Sequence, residues 1–128
     1  MDPAFLAALL AAAREFNSRR YFEAHEALEE SLEDLSDDLW PLFLGLIQVS
    51  VGYHKVTQPL RPGAARMLEK GLEKLEPLAE DAGGVELDAL RRRARSDLES
   101  LRAGRFDQAD FERRPPRLIV HKDRPKNL

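Results

Sequence analysis

The chain has 128 residues, no cysteine, and 20 basic against 23 acidic side chains, a formal charge of −3. This length fits one domain and can bury a core without covalent staples. The missing cysteines exclude a disulfide scaffold, a cysteine zinc site, an iron–sulfur cluster and thiol catalysis, and the near-balanced charge argues against a dedicated nucleic-acid binder.

The apolar periodicity is helical and no strand pair stands out, so the expected fold is an all-α bundle of about four to five helices. A first helix is expected over Pro3 to Phe16, with Asp2 as N-cap and Pro3 in the first turn. Its stripe is Phe5, Leu6, Leu9, Leu10, Ala13 and Phe16. Although this segment is apolar, it lacks a basic leader and carries Asp2, so no export is expected and the cytoplasm is the expected compartment. Asn17-Ser18 breaks the pattern.

A second helix, Arg20 to Leu35, places Tyr21, His25, Leu28, Leu32 and Leu35 at spacings of 4, 3, 4 and 3. Eight acids and no base lie between Glu23 and Asp38. A third, Leu39 to Val56, is apolar nearly all round, as a central helix should be. Pro41 fits its first turn, and Trp40 is expected to pack rather than bind. Its uncharged run, Leu39 to His54, is 16 residues long, short of the roughly 20 needed to cross a membrane.

After the loop Gln58-Pro59-Leu60-Arg61-Pro62-Gly63, a fourth helix is expected over Ala64 to Ala79, with Met67, Leu68, Leu72, Leu75 and Leu78. Ala82-Gly83-Gly84 closes that unit. A fifth, Leu87 to Ala103, is stopped by Gly104 as a C-terminal cap. Residues 1–104 therefore read as the bundle domain and 105–128 as an extended basic tail, either packed on the bundle through Phe106, Phe111 and Leu118-Ile119-Val120 or trailing from it. His121 is expected at the surface.

Charge is uneven along the chain. Residues 1–58 carry 4 bases and 10 acids, net −6, and the remainder 16 bases and 13 acids, net +3. Such halves can complement each other within or between subunits, but solvated faces explain them equally well. The run Arg91-Arg92-Arg93-x-Arg95 and the bases from Arg113 to Lys126 lack interleaved aromatics, so no nucleic-acid partner is expected.

The chemistry concentrates on the second and third helices. His25 falls inside the apolar arc of its helix, Glu29 lies one turn on, and Glu26 sits at the rim. A His and a carboxylate at i and i+4 are side by side, and a half-buried ionisable group needs a partner. His54 and Ser50 share the buried face of Ile47, whereas Gln48 lies on another side of the same helix. The spacing His25-Glu26-x-x-Glu29 is that of a zincin helix with Glu in the last place. In that reading His25, Glu29 and His54 hold a divalent cation (zinc, manganese or iron), and Glu26 takes a proton from the metal-bound water. The simpler reading is a polar cluster whose His–Glu bond fixes helix register.

These residues also carry a resemblance. Phe16-Asn17, Tyr21-Phe22-Glu23-Ala24-His25-Glu26-x-Leu28-Glu29, Gly45-Leu46-Ile47-Gln48-Val49, Tyr53-His54 and Gly63-Ala64 resemble the pattern of domain-of-unknown-function family 309. The resemblance covers about residues 5 to 75 and implies an all-α bundle. The family has been labelled a predicted metal-dependent hydrolase. Matched by position, its polar residues are Glu23, His25, Glu26, Glu29, Gln48 and His54. The chain departs from it at Arg19, where the family usually has Gly, at Ser31-Leu32, where it commonly has Trp, and at Thr57 to Leu60.

Two functions follow as expectations. The favoured one is a non-catalytic helical module that associates with itself or another protein, its His/Glu cluster ordering the helix interface. The other is a metal-dependent hydrolase.

Overall fold

Asp2 and Pro3 start the first helix as their chemistry dictates: the Asp2 carboxylate accepts from the Ala4 amide at 2.7 Å, and Pro3 occupies the first turn. The structure is a computed structural model that describes residues 1–122. Its helices are α1 (Pro3–Asn17), α2 (Tyr21–Glu29), α3 (Trp40–Val56), α4 (Ala64–Leu75), α5 (Leu87–Arg102) and α6 (Gln108–Arg113). The all-α fold is as expected. No sheet forms among the described residues, and the only strand-like contact there is an antiparallel bridge between Val85 and Val120.

Two helix ends differ from the sequence reading. α2 stops at Glu29 instead of reaching Leu35, and the chain tightens into a single 3-10 turn at Leu32–Asp34. The acids there crowd the negative end of the helix dipole with no base to offset them. Leu32 and Leu35 accordingly reach only the edge of the core. α4 stops at Leu75 instead of Ala79, because Pro77 disfavours helical backbone at Glu76 and cannot donate to the ladder.

α3 packs between α2 and α4, with α1 against α2 and α5 against α4. Phe43, Leu46, Val49 and Tyr53 of α3 are fully buried. α3 and α4 meet at unusually short range. A Cβ at Gly71 would lie 2.6 Å from Val49 Cγ2 and 2.8 Å from the Gly45 carbonyl, so only glycine lets these backbones approach. No helix of the described residues is long and apolar enough to cross a membrane.

Three of the four arginines in the α5 run, Arg91, Arg93 and Arg95, are spent on the fold. Buried Arg91 donates to the carbonyls of Leu75 and Leu78 at 2.8 and 2.9 Å, satisfying the last turn of α4, and to Asp88 at 2.6 Å. Arg93 donates to Asp97 at 2.9 Å, and Arg95 pairs with Glu76. Gly104 stops α5 as expected. It sits at φ +68, and the following amide, Arg105, returns to the Ser100 carbonyl at 2.9 Å, a Schellman closure.

The segment after Gly104 is not simply extended. α6 forms within it, capped by the Asp107 carboxylate, which accepts from the Asp110 amide at 3.0 Å. Phe111 and Leu118 are buried in the main core. The Asn17 side chain holds Leu118 through both its backbone groups, at 2.9 and 2.8 Å. Glu86 donates to the Ile119 carbonyl at 2.9 Å and His121 to that of Gly84 at 2.8 Å. The His121 ring is partly exposed and meets Glu86. Apolar anchors alone would leave this backbone unpaired, and these bonds supply the pairing. Residues 123–128, including Lys126 of the expected basic tail, lie outside the described residues.

Candidate functional site

α2 holds His25 against its own surface. Its Nδ1 donates to the Phe22 carbonyl one turn back, which fixes the ring, and its Nε2 lies 3.1 Å from Glu29 Oε2. The His25 side chain is 14% exposed and that of Glu29 59%, so the pair straddles the rim of the bundle. Glu26 is exposed. Glu23 is half-buried and lies 3.7 Å from Arg20, which is also held by Glu15 at 2.6 Å.

The third expected ligand does not join the pair. The Phe22 ring stands against both histidines, with centroids 4.6 Å from His25 and 5.1 Å from His54. Among the described residues no three His, Asp or Glu side chains converge where they could hold a metal ion. The residues present offer one nitrogen and one carboxylate, backed on one side by an aromatic ring. That falls short of the three protein ligands of a catalytic zinc centre. Ser50 is buried and Gln48 half-buried on α3, and neither the Ser50 hydroxyl nor the Gln48 carbonyl oxygen has a hydrogen-bond partner among the described residues. Trp40 is 42% exposed, so it packs less than expected.

A second polar cluster lies deeper. The Tyr53 hydroxyl donates to Asp97 Oδ2 at 2.6 Å, and Arg93 donates to the same oxygen. Burial holds the Tyr53 phenol well above its ordinary range, and the Asp97 charge beside it adds to the rise. Tyr21 packs 5.8 Å from the Tyr53 ring. Burial pushes the Tyr21 phenol up to about 12, with the charges of Arg19 and Arg93 acting against the rise. The Tyr21 hydroxyl is buried and has no hydrogen-bond partner among the described residues.

Reading along the chain missed this deeper cluster, because Tyr53 and Asp97 are 44 residues apart. It also took Tyr21 as one more member of an apolar stripe. The only local hint was Asp97 itself, an acid four residues after Arg93 on a helix whose stripe is otherwise leucine and alanine.

The architecture is thus that of a small all-α protein, with an exposed His–Glu pair at the rim of its central helix pair and a Tyr–Asp–Arg cluster inside. Residues 9–67 match the family model described as Domain of unknown function (DUF309), which supports the resemblance read from the sequence. No curated protein matches the chain.

Proposed function

We propose that the protein is a non-catalytic helical module, in which the His25–Glu29 pair on α2 and the contact of Phe22 with His54 fix how α2 sits on α3. It works by associating with a second copy of itself or with another protein, in the cytoplasm. The observation carrying this reading is the Phe22 ring packed against both imidazoles, edge-on to His25 and tilted to His54. That ring occupies the ground a shared cation would need, and it ties the two helices by aromatic contact instead. Support for association comes from two large aromatics left partly in solvent, Phe22 at 44% and Trp40 at 42% exposed.

The test is elemental analysis of the purified, untagged protein, with zinc, manganese and ferrous iron titrated against its thermal midpoint. The expected result is no stoichiometric metal and no metal-dependent rise in Tm. Stoichiometric metal that disappears in His25→Ala would overturn the proposal and restore a metal-dependent hydrolase with Glu26 as base. Sedimentation at high micromolar concentration then reads the association. A species heavier than the monomer supports self-association, and a monomer leaves a different protein as the partner.

A further inference from the structure

Two adjoining hollows open where α1 turns into α2. The outer one, about 400 Å³, is lined by Phe22 and His54, and the inner one, about 230 Å³, by Phe111 and Glu112. Arg19, Tyr21 and Thr57 line both, so they form the neck between them.

Two of these neck residues are hard to explain by folding alone. Arg19 closes α1 in a Schellman motif: its amide donates to the Phe16 carbonyl at 3.0 Å and the next amide to that of Glu15 at 2.8 Å. The motif requires left-handed backbone at this position, and Arg19 has φ +66. Glycine adopts that conformation without steric cost, whereas arginine does not. Arg19 returns nothing visible for the strain, since its exposed guanidinium makes no hydrogen bond or ion pair among the described residues. Strain of this kind persists where function uses it. Tyr21 is the second case. It is only 2% exposed, lines both hollows, and has a hydroxyl without a hydrogen-bond partner among the described residues. A buried hydroxyl left unpaired is costly, and phenylalanine would fill the same space without that cost.

We propose that this neck binds a small aromatic carboxylate. Arg19 supplies the charge, in the geometry that favours carboxylates, and the Tyr21 hydroxyl supplies a hydrogen bond in a place where water is scarce. The first-turn amides of α2 help, because Arg20 at the N-cap offers no side-chain cap to them. Arg20 itself is engaged by Glu15 and Glu23 and contributes little free charge. A carboxylate lines each hollow away from the shared residues, Glu23 in the outer one, where Arg20 lies 3.7 Å from it, and Glu112 in the inner one. The carboxylate therefore sits at the neck, and the ring lies outward against the exposed flank of Phe22.

The experiment is a titration of the full-length protein with benzoate, followed by backbone amide shifts in two-dimensional NMR. Benzyl alcohol and acetate serve as neutral and ring-free controls. Saturable shifts at residues 19–23, 54 and 57 are expected with benzoate, and binding at least tenfold weaker with either control. Arg19→Gly relieves the backbone strain, so its Tm should equal or exceed that of the parent while its benzoate affinity falls at least tenfold. Tyr21→Phe keeps the ring and should also weaken benzoate several-fold at undiminished Tm. The proposal is overturned by any of three results: no saturable shift with benzoate, acetate binding as well as benzoate, or unchanged affinity in Arg19→Gly.

Discussion

The two polar clusters of this protein stand in contrast. His25 and Glu29 are neighbours on one helix, visible in the chain at i and i+4, and their pair lies at the rim with Glu29 mostly in water. Tyr53, Asp97 and Arg93 come from α3 and α5 and share one carboxylate oxygen, with Tyr53 and Asp97 buried and Arg93 partly exposed. The first resembles a catalytic motif and contributes modest energy, since exposed pairs at this spacing stabilise by about 0.3–0.5 kcal/mol. The second resembles no motif and ties α5 to the central helix through a hydroxyl–carboxylate bond that is largely shielded from water. A motif read along a chain reports local spacing, whereas the energetic weight of a polar group depends on what the fold puts around it.

The sharpest way to break this contrast is Asp97→Ala. It strands the Tyr53 hydroxyl in the core and frees Arg93, and should destabilise the protein by about 3–5 kcal/mol, measured by urea unfolding. A loss below about 1 kcal/mol would make the inner cluster no weightier than the outer one. Gly71→Ala comes next. Its Cβ would meet Val49 Cγ2 at 2.6 Å and the Gly45 carbonyl at 2.8 Å, and the forced separation of α3 and α4 should cost about 1–3 kcal/mol.

Alkaline titration tests the inner region without mutation. Tyr21 and Tyr53 are the only tyrosines, so absorbance near 295 nm reports them alone. Native protein should show little tyrosinate as the pH passes the ordinary value of 10.0, with Tyr21 ionising near 12 and Tyr53 also held well above its ordinary value. Because the folded state holds these protons more tightly than the unfolded chain, the contribution to stability is complete below pH 10 and is lost as the pH rises toward 12. A full tyrosinate signal from folded protein near pH 10 would contradict the burial of both rings. The smallest effect belongs to the rim. Glu29→Gln keeps the length of the side chain and removes its charge, and should shift stability by no more than about 0.5 kcal/mol.

Much of the fold was legible because helix signals are local. Asp2-Pro3 at the start of α1, Gly104 after α5 and the leucine stripes of α4 and α5 act within one or two turns, and the structure follows them. α2 was overextended because its leucine spacing continues past the point where uncompensated acids end the helix. The relation of His25 to His54 was not legible for a different reason: they lie on different helices, and the fold packs the Phe22 ring against both imidazoles, at 4.6 and 5.1 Å.

By itself the sequence determined the helical class, the absence of thiol chemistry, the family pattern and the i,i+4 pairing of His25 with Glu29. All of these depend on composition or on contacts within a few residues. Only the tertiary structure decided that Arg91 would close α4, that Asp97 would meet Tyr53, and that Asn17 would grip Leu118 across 101 residues. Those pairings join polar groups distant in the chain. They are selected when packing excludes water and leaves each buried donor or acceptor to be satisfied by whatever the fold has brought beside it.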